Sequence, residues 1–207
     1  LDLDGTISNS ANTSALTITG ASDLGGSITT SGTQDYEGAI TLTGHTTLVS
    51  GDQITFDTTV NSEGSETNNL TVTATTLQVD GIVGGSRTLG AISITGILDL
   101  NNDITNATSL SVSSTSNLGA NVTTTSTQTY TSGVTLSGAD RTLTASTVNF
   151  VDTLNGGANG LIITGNLDLD GAATNLSTLA VSGTSNLGAD VTTTSTQTYT
   201  SGVTLSG

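Results

Sequence analysis

The sequence predicts an all-β fold: a right-handed parallel β-helix, or β-solenoid, built from long internal repeats. Three observations predict it. First, residues 115–138 read TSNLGANVTTTSTQTYTSGVTLSG and residues 184–207 read TSNLGADVTTTSTQTYTSGVTLSG. They differ only where Asn121 becomes Asp190, and recurrence at a fixed long period is the signature of stacked repeats. Second, the apolar residues alternate with polar ones in runs of three to five, which places them on one face of a strand. Third, the 207 residues include 26 glycines and no proline. Proline would remove donors from strands paired on both sides.

The elements follow in order along the chain. Leu1/Leu3, Leu16/Ile18, Ile40/Leu42, Leu70/Val72 and Leu77/Val79 are each apolar–x–apolar pairs, and so are Ile92/Ile94, Leu98/Leu100 and Leu110/Val112. Val134/Leu136, Leu167/Leu169, Leu179/Val181 and Val203/Leu205 continue the series. Between them lie Gly, Asn, Asp and Ser, which tolerate turn conformations and supply corners. No window shows the i, i+3, i+4, i+7 apolar stripe of a helix. A divergent copy of the repeat occupies residues 24–44. Aligning Tyr36 with Tyr130 brings Phe56 onto Phe150 and Asn61 onto Asn155, with about 25 extra residues near 82–100 that correspond to one additional small unit of the array. The repeat units run over residues 1–97, 98–166 and 167–207, the last incomplete, in one continuous solenoid. The 69-residue offset is expected to divide into about three coils of roughly 23 residues. Within residues 122–131 every odd position is Thr. That pattern predicts a continuous Thr row outside, with small polar residues inside near a corner and Tyr130 as the anchor.

Composition removes several function classes. There are 2 Lys+Arg against 17 Asp+Glu, a net charge of -15. So few cations cannot neutralise a nucleic-acid backbone or coat an anionic membrane, and no apolar run is long enough to cross a bilayer. The absence of cysteine excludes disulfides and thiol nucleophiles. Low hydrophobicity with net charge resembles the signature of disorder. The β-branched Thr, Val and Ile in alternating runs favour ordered strands instead. The recurrence of both terminal motifs inside the chain reads as a window on a longer array.

The phrase TTTSTQTYTSGVTLSGADRTLTASTVNF carries a Q-x-Y, an apolar-x-apolar pair, a later T-L-T and a phenylalanine. It resembles repeats of large secreted bacterial surface proteins, the filamentous-haemagglutinin-like adhesins. The resemblance runs from Leu24 onward. It implies an extracellular, rod-like β-helix at the cell surface, meeting neighbouring repeats or copies of itself end to end, and touching surface glycans or other cells.

Candidate sites are few. Asp2, Asp4, Asp168 and Asp170 in the two LDLDG segments are calcium candidates, since calcium takes six to eight oxygens. Their alternation with inward leucines fits solvated carboxylates better, so no cofactor is expected beyond a weak calcium possibility. Pairs of T-x-T at Thr17/Thr19, Thr41/Thr43, Thr71/Thr73, Thr123/Thr125 and Thr142/Thr144 raise ice binding. Their unequal spacing argues against a flat array and for Thr as a soluble strand former. His45 is the lone histidine and has no triad partner in any motif, so no enzyme activity is expected. Tyr36, Tyr130 and Tyr199 hold equivalent repeat positions and read as structural anchors, as do Phe56 and Phe150. Arg87 and Arg141 are expected at turns beside carboxylates. The expected function is a non-catalytic structural or adhesive stalk. The alternatives are a solenoid face binding carbohydrate, calcium or ice, and a phage tail-fibre shaft.

Overall fold

The computed structural model describes residues 1–8 and 15–207. Those residues form short parallel strands and no helix, stacked in about 10 coils as a β-solenoid. Each coil visits three sheets. Inward side chains stack on the first sheet as Ile40, Val60, Val83, Ile104, Val122, Leu143, Ile163 and Val181. On the second sheet the file runs Ile28, Leu48, Val72, Ile94, Val112, Tyr130, Phe150 and Leu169. The third carries Tyr36, Phe56, Val79, Leu100, Leu118 and Leu136. The period-two alternation read from sequence sets inside and outside at nearly every strand, because successive Cβ atoms of a strand point to opposite faces.

Most coils are shorter than 23 residues, and their lengths vary. Stacked partners lie from 18 residues apart, Ile94 to Val112, to 24 apart, Leu48 to Val72. The excess is looped out at corners, such as residues 63–69 between Val60–Ser62 and Leu70–Val79. From Ser116 to Ser185 the chain passes Val122, Gln128, Val134, Leu143, Val148, Leu154, Leu161, Leu167, Ala173 and Leu179 before it arrives. The 69-residue offset is therefore eleven strand-to-strand steps, one short of four coils of three. Identical sequence falls on different sheets as a result. Ser116 pairs with Leu98 on the third sheet, whereas Ser185 pairs with Leu167 on the second. The extra residues of the first copy add three further steps, which is one whole coil, as the alignment of Tyr36 with Tyr130 implies.

The Thr row of residues 122–131 does not form one strand. Val122–Thr124 closes the first sheet's part of that coil and Thr127–Tyr130 opens the second's. The alternation survives the corner, so Thr124, Gln128 and Tyr130 are all buried. The row bends around the solenoid instead of lying along one face.

Two glycines allow long strands to turn a corner without a loop. Gly96 and Gly165 occupy equivalent repeat positions with φ of 135° and 133°. They face bulges in the neighbouring strands, between Thr73 and Thr76 and between Thr144 and Thr147. A Cβ at Gly96 would collide with the carbonyl oxygen of Ala74, and one at Gly165 with that of Ala145. Gly165→Ala is expected to destabilise the fold by roughly 1–3 kcal/mol or more, from backbone strain and the clash. Gly202→Ala, where nothing lies within 4 Å, should stay within about 0.5 kcal/mol. Denaturant unfolding of the two variants checks the difference.

Candidate functional site

The residues that the repeats conserve internally converge on the corners. A single motif, T-x-x-x-Q-x-Y, recurs as Thr30–Gln34–Tyr36, Thr124–Gln128–Tyr130 and Thr193–Gln197–Tyr199. A corner carries inward-facing carbonyls away from the axial ladder, and buried carbonyls need partners. The motif supplies them. The Thr30 hydroxyl donates to the carbonyl of Gly32 at 2.7 Å, Thr124 to Ser126 at 3.3 Å and Thr193 to Ser195 at 3.1 Å. The Gln34 amide donates to the carbonyl of Val49 at 2.8 Å and to the Thr30 hydroxyl at 3.2 Å. Gln128 donates to Thr144 at 2.9 Å and Val122 at 3.1 Å, and Gln197 to Val191 at 3.0 Å. The tyrosine hydroxyl then donates to the glutamine Oε1, at 2.9 Å from Tyr36, 3.3 Å from Tyr130 and 3.1 Å from Tyr199.

The phenylalanines complete the plug one coil above. Tyr36 meets Phe56 with ring centroids 5.7 Å apart and tilted, and Tyr130 meets Phe150 at 5.4 Å and stacked. Both arrangements lie within the favourable range for aromatic pairs. Burial pushes the hydroxyls of Tyr36 and Tyr130 well above the ordinary tyrosine range, and that of Tyr199 upward as well. The three copies turn three different corners: second to third sheet, first to second, and third to first. One sequence thus suffices for every corner. The glutamines and threonines of this network are the residues that reading the tyrosines alone misses. Their constant spacing ahead of each tyrosine is the signal that marks them.

The charged candidates are dispersed. Asp2 and Asp4 are exposed, and Asp2 stands in register with Asp23. Asp168 accepts a hydrogen bond from the Asn186 amide at 2.9 Å, while Asp170 is exposed. The same pair recurs one repeat earlier, where Asn117 donates to Asp99 at 2.8 Å. These are axial ladders between an LDL strand and the SNL strand above it. Among the described residues no three His, Cys, Asp or Glu side chains group to hold a metal ion. Asp35 is raised above the usual carboxylate range by partial burial and by the Asp57 charge.

His45 is exposed, and its Nδ1 accepts the backbone N–H of Asn69 at 3.1 Å. Arg141 does not seek a carboxylate: its guanidinium donates to the carbonyls of Leu118 and Ser137, bracing a corner. Arg87 is exposed. A surface depression is lined by Gly133, Ile97, Thr115, Thr135, Thr153 and Asn155. No protein-family model, curated protein or solved structure matches the chain. The arrangement as a whole secures shape: polar side chains close corners, and aromatic pairs fill the lumen behind them.

The network predicts position-dependent costs for one chemical change. Gln128→Leu should destabilise by roughly 1–3 kcal/mol, because it strands buried carbonyls and the Tyr130 hydroxyl. Gln197→Leu, at an exposed glutamine in the same local sequence, should cost visibly less in parallel melting curves. Alkaline pH should also unfold the protein. The tyrosines titrate near 10.0 when unfolded and higher when folded, so their contribution is complete below that pH and declines as pH rises through and beyond it. Tyrosinate absorbance from Tyr36 and Tyr130 should appear only together with loss of β circular dichroism.

Proposed function

We propose that the chain is a non-catalytic stalk segment of a secreted bacterial cell-surface filamentous protein, in which stacked coils supply length and stiffness. One observation carries the reading. The short strands keep parallel register from coil to coil, from Asp2 against Asp23 to Leu187 against Leu205, around one stack of buried aliphatic and aromatic side chains. Such a stack grows along its axis by whole strand steps without changing its width. Neighbouring repeats, or copies of the chain placed end to end, are the partners of this reading. Like charge on the outer surface, with a net charge of -15, keeps adjacent rods apart and soluble. An extracellular position, with glycans or other cells as contacts, accords with the resemblance of the repeats to filamentous-haemagglutinin-like adhesins.

Insertion of extra copies of residues 98–166 between residues 166 and 167 tests the reading. Eleven strand steps correspond to three and two-thirds coils, so each copy should lengthen the particle by about 18 Å at constant width. Small-angle scattering and electron micrographs report both dimensions. Particles that grow in width, or collapse to globules, would refute a stalk.

A further inference from the structure

We propose that the second sheet carries a binding face for ice, made of outward hydroxyl side chains in register through seven consecutive coils. The T-x-T pairs picked out by sequence scatter over all three sheets, and their unequal spacing suggests no array. Stacking rearranges the picture. Thr6 pairs with Ser27, Ser27 with Thr47, Thr47 with Thr71, Thr71 with Ser93, Ser93 with Ser111, and Ser111 with Thr129. Two residues along each strand a second file begins. Ser8 pairs with Thr29, Thr29 with Val49, Val49 with Thr73 and Thr73 with Thr95, so four of its five positions carry a hydroxyl and Val49 supplies methyl groups instead. The irregular spacing lies in corner loops such as residues 63–69 and leaves this ladder in register.

All these side chains are exposed or half-buried. The third sheet behaves otherwise, because its outward polar groups bond to one another along the axis: Gln53 to Gln78 at 2.7 Å and Asn117 to Asp99 at 2.8 Å. No charged residue interrupts the hydroxyl file between Thr6 and Thr129, although the chain carries a net charge of -15. The nearby charges, Asp4, Asp52, Glu63, Glu66 and Arg87, stand at corners. The file ends where Asn149 and Asp168 follow Thr129.

The partner follows from that chemistry. Neighbouring strands lie about 4.8 Å apart and alternate residues of a strand about 6.7 Å apart. Both spacings are close to oxygen repeats of the hexagonal ice lattice. Hydroxyls at those spacings can take lattice positions of water, and threonine methyls between them hold the adjoining water in place. A neutral, extended, two-file array suits a neutral lattice. A charged ligand would require countercharges that this face lacks.

The test uses the full chain. In slowly growing ice the protein should be incorporated and should separate the melting from the freezing temperature. Thr71→Lys should abolish both effects while its circular dichroism and melting curve match the parent. Thr135→Lys, outward on the third sheet, should retain them. Exclusion of the parent from ice at the level of an inert protein would overturn the proposal, and so would equal loss in both variants. Retention on a crystalline polysaccharide with exclusion from ice would assign the face to another lattice and refute ice as the partner. None of these outcomes bears on particle length, so the stalk reading stands or falls separately.

Discussion

A strand of three residues cannot hold itself in place, and most strands in this protein are about that short. Each depends on axial backbone hydrogen bonds from the coils before and after it, and on an inward side chain that lands on the inward side chain of its neighbour. The rest of the structure is arranged to keep that ladder continuous. The loop at residues 63–69 absorbs surplus chain so that Thr46 can pair with Leu70. Gly96 and Gly165 adopt left-handed backbone so that strands pass corners beside bulges. Arg141 is drawn to carbonyls at a corner instead of to a carboxylate.

The lumen is aliphatic with a small number of polar insertions, and these insertions are not defects. A buried glutamine would be costly alone. Here it replaces the lost ladder partner of a corner carbonyl, and the tyrosine hydroxyl satisfies its oxygen in turn. Ser22, Ser116 and Ser185 are the exceptions: each is buried at the same S-x-L position with a hydroxyl that has no partner among the described residues. The structure gives no reason for serine there.

Because three corners accept one motif, the sheets are equivalent as far as the local sequence is concerned. A repeat of eleven steps can then rotate its contents by one sheet without penalty, and Tyr36, Tyr130 and Tyr199 come to lie on the third, second and first sheets in turn. Outward side chains obey a different rule. They are unconstrained by the lumen, so hydroxyl files, amide–carboxylate ladders and isolated acids can occupy different faces of one solenoid.

Much of this was legible in the chain. Leu98, Leu100, Val134 and Leu136 announced themselves as inward residues, and Tyr36, Tyr130, Phe56 and Phe150 share that inward side, because inside-or-outside is a local property with period two. The recurrence of whole segments announced stacking. What no local pattern contained was the phase. Which sheet a strand joins depends on how many corners precede it, and corners vary in length with no fixed signature. The coil length, the bend in the Thr row, the role of Gln34 and Gln128, and the alignment of Thr71 with Ser93 and Ser111 were all decided by axial pairing. Only the tertiary structure brings together residues some 20 positions apart and so determines which side chains share a face.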